Sequence, residues 1–135
     1  MSERRVLQPK GWAQPKGYAN GVLARGRMVF TAGQVGWDPT SAAPKFPATF
    51  AEQFEQALAN VLAVLAEAGG APEHLVRLTI YVIDKREYLA SLKACGAAWK
   101  KLVGGSYPAM ALVQVAGLVE ADAKLEMEGT AVLPG

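Results

Sequence analysis

Cysteine, histidine and charge are scarce in this chain, and each scarcity removes a class of function. A single cysteine, Cys95, leaves no partner for an internal disulfide and fits a reducing compartment. A single histidine, His74, argues against His-rich metal sites and Ser-His-Asp machinery, and its position between Glu73 and Leu75 reads as a surface histidine. There is no Cys-x-x-Cys, no Walker loop and no Gly-x-Gly-x-x-Gly after a strand, so neither a cofactor nor a metal is expected. No apolar run approaches the ~20 residues of a membrane span, and Met1 to Pro9 hold no signal-length apolar core. A cytoplasmic protein without membrane contact is the expectation. Charged residues make up 19%, and 14 Lys and Arg against 12 Asp and Glu leave a net charge of +2. That gives no field strong enough to argue for nucleic acid. The basic residues near the start (Arg4, Arg5, Lys10, Lys16, Arg25, Arg27) are scattered and carry no aromatic-studded motif.

What the chain does have is apolar content, 51% over 135 residues, enough for one domain with a core and little charge to coat a monomer. The stretch Ser106–Leu118 shows almost no polar alternation, as in a strand covered on both faces. Met110, Leu112 and Gln114 share one side of it, because strand side chains alternate with a period of two.

Residues 1–16 read as an extended arm with two isolated anchors, Val6 and Trp12, and residues 17–135 as a single domain. Two strand-like runs, Tyr18–Arg25 and Arg27–Gln34, meet at Ala24-Arg-Gly-Arg27, which predicts a β-hairpin turning on Gly26. Three prolines make residues 36–48 a long loop. Thr49 and Glu52 form a capping-box pattern, and Phe50, Phe54, Leu58, Val61, Leu62 and Leu65 then recur at helical spacing up to Gly69-Gly70. Glu52, Gln53, Gln56, Asn60 and Glu67 lie mostly elsewhere on that wheel.

Val76–Ile83 is the next strand, and Asp84 with Glu87 opens a second helix whose stripe is Tyr88, Leu92, Cys95, Trp99 and Leu102. Cys95 on that stripe reads as a core residue. After the Met110 strand, Lys124–Val132 alternates strictly, with Leu125, Met127 and Ala131 on one side and Lys124, Glu126, Glu128 and Thr130 on the other.

The order is β-β-α-β-α-β-β, an α+β class with a mixed sheet and two helices on one face. The uncovered face then needs a partner, and a second copy of the chain is the economical one. Glu126 on the last strand is a carboxylate able to orient or activate water, if it is not simply a solvated residue paired with Lys124.

Tyr18, Phe30-Thr-Ala-Gly-Gln34, the helix segment Ala57-Leu-Ala-Asn60, Thr79-Ile-Tyr-Val-Ile-Asp84, and Tyr107-Pro-Ala109 through Val113-Gln-Val-Ala116 stand in an order and spacing that resemble the Rid family. These are the reactive intermediate deaminases, also called YjgF proteins, and the resemblance runs from about residue 17 to residue 132. It implies a chorismate-mutase-like fold assembled as a homotrimer, with a small-molecule ligand in a cleft between subunits. It also implies hydrolysis of enamines and imines, such as 2-aminoacrylate released by pyridoxal-phosphate enzymes, to ketoacids and ammonia, with no metal and no covalent nucleophile.

In active members the motif reads Pro-Ala-Arg, and the arginine clamps the substrate carboxylate. Met110 stands at that position here. By the same resemblance Tyr18 matches the cleft tyrosine, Gly33 the residue whose backbone faces the ligand, Leu112 the strand residue two beyond the arginine, and Glu126 the water-positioning glutamate. Ala32 stands where a serine is common. The water-handling half of the site is therefore retained, and the carboxylate-anchoring half is apolar.

Three readings follow: an imine hydrolase whose specificity has moved away from 2-aminoacrylate, a non-catalytic trimer that binds a small metabolite, and an RNA-binding or endoribonuclease role, against which the near-neutral charge weighs. Arg25 or Arg27 of a neighbouring subunit is a candidate to replace the missing cation.

Overall fold

The first long helix starts where its cap predicts. Thr49 Oγ1 accepts from the Glu52 N–H at 3.2 Å and donates to the Glu52 carboxylate at 2.8 Å, closing the first turn. The resulting helix α1 spans Phe50–Glu67 in a computed structural model that describes residues 3–43 and 45–135. Around it the chain runs β1 (Glu3–Leu7), β2 (Gly21–Arg25), β3 (Arg27–Phe30), β4 (Gln34–Val35), α1, a 3-10 turn (Pro72–His74), β5 (Leu75–Val82), α2 (Lys85–Ala90), α3 (Leu92–Leu102), β6 (Ala109–Gln114) and β7 (Leu125–Leu133).

One mixed sheet carries the order β3-β7-β5-β6, with β4 also paired to β7. β7 is antiparallel to β3, β4 and β5, and β5 is parallel to β6 through the α2–α3 crossover. Phe54, Leu58, Val61 and Leu65 of α1 and Cys95, Ala98 and Trp99 of α3 form one core with Leu78, Ile80 and Val82 of β5 and Leu125, Met127 and Leu133 of β7. The helices therefore cover one face, as the β7 alternation requires. Among the described residues no helix is long and apolar enough to cross a membrane.

Several local expectations are corrected. No hairpin forms at Gly26: β2 pairs with β1, and β3 pairs with β7. A single residue between strands cannot close a two-residue hairpin loop. Gly26 instead passes the chain between the two sheets at φ 150°, and a β-carbon there would run into the Leu133 carbonyl oxygen.

Val6 and Trp12 do not anchor the arm, being 48% and 61% exposed. The tie is Arg4, whose Nη2 donates to the carbonyls of Tyr107 at 3.0 Å and Leu75 at 3.3 Å. The predicted second helix is two helices. Ser91 Oγ donates back to the Glu87 carbonyl at 2.7 Å, and its backbone at φ −114° and ψ 13° leaves the helical range, which separates α2 from α3.

The helices cover one face of β6, so within one chain it is not covered on both, and Val113 on the other face is 44% exposed. Gln53 and Asn60 are buried, not on a solvent side of α1. Gln53 bonds Pro47 O, Asp122 O and the Lys124 N–H, while Asn60 bonds Val35 O and Trp37 O. They lace the 36–48 loop and the turn before β7 onto the helix. His74 is half-buried, and its Nδ1 accepts from the Ala71 N–H at 2.9 Å to close the 3-10 turn.

Candidate functional site

Tyr18, Met110 and Leu112 meet in one cleft. The Ala19 N–H donates to Pro108 O at 2.9 Å, and Ala19 bridges Ala109, which sets Tyr18 beside the start of β6. Met110 pairs with Leu78 and Leu112 with Ile80, both fully buried under the helices, so the two side chains point to the helix side. There they line a cleft of about 390 Å³ together with Leu92, Gly96 and Trp99 of α3. That volume lies in the ~300–1,000 Å³ range of small-molecule sites. Trp99 stacks on Tyr107 at 5.6 Å and donates Nε1–H to Ser106 O at 3.2 Å, which fixes the far wall. Gln114, the third residue of that face, accepts from the Lys85 N–H at 2.9 Å and caps α2.

Gly33 and Glu126 meet elsewhere. β4 pairs with β7 in the register Val35 to Glu126, which brings Gly33 against the Glu126 carboxylate so closely that a β-carbon at 33 would overlap Oε2. Ala32 precedes it, exposed, with its carbonyl accepting from Gln34 Nε2 at 3.4 Å. Glu126 pairs with Tyr81 on the helix-free face of the sheet. Its neighbour Glu128 accepts from the Tyr81 hydroxyl at 2.7 Å, and this bond raises the Tyr81 pKa because the phenol proton is being held. The Lys124 ammonium goes to Glu87 at 2.9 Å, so the pairing of Glu126 with Lys124 is not what the structure shows.

The six nominated residues thus form two groups on opposite faces of one sheet. Tyr18, Met110 and Leu112 lie on the helix side, and Ala32, Gly33 and Glu126 belong to the open side. Neither arginine nominated to replace the missing cation lines the apolar cleft of its own chain, and Arg27 Nε donates to Pro134 O at 3.2 Å. Of the scattered basic residues, Arg4 and Arg27 are bonded to backbone carbonyls. Cys95 is buried beneath the cleft, and burial pushes its thiol up to about 11, which agrees with the core reading.

Sequence reasoning missed Lys16 and Gly96 as lining residues, and missed Gln53 and Asn60 as supports. Leu92 and Trp99 were marked only as part of a helical stripe. The available signal was a glycine inside an otherwise regular helical pattern at position 96, which breaks the stripe without ending the helix.

A family model described as Endoribonuclease L-PSP matches residues 12–133. The 2-iminobutanoate/2-iminopropanoate deaminase of Escherichia coli K12 is 34% identical over 115 residues, covering 85% of this chain and 86% of that protein. The crystal structure of a Rid-family protein of unknown function from Yersinia pestis superposes with a TM-score of 0.83 at 31% identity, covering 96% and 98% of the two chains. Escherichia coli TdcF, solved with bound serine, superposes with a TM-score of 0.67 at 31% identity, covering 91% of each chain.

Proposed function

Because this chain belongs to the Rid (YjgF) family, we propose that it hydrolyses enamines or imines to carbonyl compounds and ammonia, at a cleft that two copies of the chain complete. The observation that carries this reading is the contact of Glu126 with Gly33 on the open face. It holds a carboxylate beside exposed backbone, where a water can be placed against a bound iminium.

The chemistry balances without further reactants. An enamine first tautomerises to its iminium. Water adds through oxygen to the iminium carbon while Glu126 takes one of its protons. The same carboxyl returns that proton to the carbinolamine nitrogen, and ammonia leaves as the hydroxyl gives its proton back to Glu126, leaving a carbonyl.

The placement of the two groups supports assembly. Within one chain Glu126 and the Tyr18–Met110–Leu112 cleft project to opposite sides of the sheet, so no single molecule of substrate reaches both. A neighbouring copy packed on the open face brings its own cleft to Glu126, and a closed ring of three satisfies every copy. Met28 and Phe30, 60% and 68% exposed on that face beside β7, support such packing.

Specificity is set by Met110. An arginine at this position would give a small substrate carboxylate two charge-assisted hydrogen bonds of about 1.5–3 kcal/mol each, and methionine gives none. The small enamine 2-aminoacrylate and its imine tautomer are therefore poor substrates, and an apolar body against Met110 and Leu112 is favoured. The same substitution supports a second reading, a non-catalytic trimer that binds a metabolite in this cleft.

Ammonia release from enzymatically generated imines with small, aliphatic and aromatic side chains, with Glu126→Ala alongside, tests the proposal. Turnover of a bulky imine that disappears in the variant is expected. Unchanged turnover in Glu126→Ala overturns the role given to that residue, and silence across the panel favours the binding trimer.

A further inference from the structure

The helix-side cleft holds one charged residue and one unexplained glycine. Lys16, exposed on the segment leading to Tyr18, lines it, and among the described residues no carboxylate does. The other lining side chains are aliphatic, aromatic, or the buried neutral thiol of Cys95. An anion is thus the only charged group the cleft accepts without an unpaired like charge.

Gly96 stands in the middle of α3, where glycine is the worst helix former after proline. Its φ is not positive, and a β-carbon added there would meet no atom within 4 Å. Neither backbone conformation nor packing asks for glycine at this position. What the missing side chain leaves is open space continuous with the cleft between Leu92 and Trp99.

We propose that this cleft takes a carboxylate with an extended apolar body, the carboxylate held at the exposed end by Lys16 and the body lying across the gap at Gly96 against Met110 and Leu112. The inference rests on the reading of the cleft as the substrate site and adds to it the group that replaces the lost arginine and the residue that gauges length. A lysine is a point charge without the planar fork of arginine, so it holds an anion without dictating its orientation. Orientation then comes from the apolar body.

Binding tests this without any turnover. Titration calorimetry would compare 4-phenylbutanoate, butanoate and the neutral 4-phenylbutanol on the full chain and on Lys16→Met, Lys16→Arg, Gly96→Phe and Gly96→Ala. The native protein should bind 4-phenylbutanoate at least ten-fold more tightly than either other probe. Lys16→Met should abolish the preference for acid over alcohol, and Lys16→Arg should keep it. Gly96→Phe should weaken 4-phenylbutanoate at least ten-fold and butanoate far less, while Gly96→Ala should raise the Tm, showing that α3 tolerates a side chain there.

A preference that survives Lys16→Met, full affinity in Gly96→Phe, or no binding of 4-phenylbutanoate by the native protein overturns the proposal. The hydrolase reading fails separately, by silence in the ammonia assay from a protein that binds these probes as expected.

Discussion

The Glu126 carboxylate lies against the α-carbon of Gly33, and the space between strand β4 and strand β7 leaves no room for a side chain at position 33. Two residues more than ninety positions apart thereby meet, a carboxylate against backbone with no side chain between.

Gly33→Ala should push that carboxylate aside. The expected outcome is a folded protein whose turnover of an accepted imine falls on the order of 10²-fold, the low end of what a positioned general base contributes. Steady-state kinetics check this, and an unchanged kcat would show that the contact is not used.

Met110→Arg should raise activity on 2-aminoacrylate, because it restores a bidentate cation to the cleft wall. The measurement is ammonia release from that enamine by the variant and the native protein at equal chain concentration. No gain in a well-folded variant would mean that the cleft departs from its relatives in more than this residue.

Gln53→Ala should be costly for an uncharged helix residue. It removes three hydrogen bonds from a side chain that is 1% exposed and leaves the Lys124 N–H and the Pro47 and Asp122 carbonyls short of a partner. With about 1–3 kcal/mol for each buried group left unsatisfied, a loss of roughly 3 kcal/mol is expected in urea unfolding. A loss under about 0.5 kcal/mol, the size of an ordinary surface substitution, would contradict the burial described.

Gln53 also shows where sequence reading stops. Helix α1 was legible because its cap and stripe are local, and β7 because its alternation is strict over nine residues. That Gln53 and Asn60 are buried depends on the 36–48 loop and the 119–124 turn folding over the far side of the helix, which no wheel displays. The hairpin at Gly26 failed for a related reason: β3 finds its partner about a hundred residues away, in the register Arg27 to Leu133, and a turn signal reports only on its neighbours.

The candidate site was nominated as residues and not as an arrangement. Its six members were named from the chain, but their division between two faces follows from register, and register is set by pairing. Lys16 and Gly96 carry no motif and become visible only as lining of the cleft.

Cys95 should behave as a core thiol. With its pKa pushed up to about 11 by burial, thiolate at pH 7 is on the order of 10⁻⁴ of the total. Iodoacetamide labelling should therefore be slow in the native protein and fast in urea. Equal rates would contradict its burial. Because the folded-state pKa is raised, the neutral thiol's contribution to stability is full below the ordinary thiol range and is lost as pH climbs through about 11.

The claim that two copies share each site is tested most directly by mixing two inactive variants, Glu126→Ala and the cleft-blocking Leu112→Trp, refolded together at equal amounts on whichever imine the native protein turns over. In a randomly mixed trimer a cleft with both halves intact arises in roughly one case in four, so about a quarter of native activity should return. Mixed trimers that form, as seen by native mass spectrometry, and yet stay inactive would contradict the shared site.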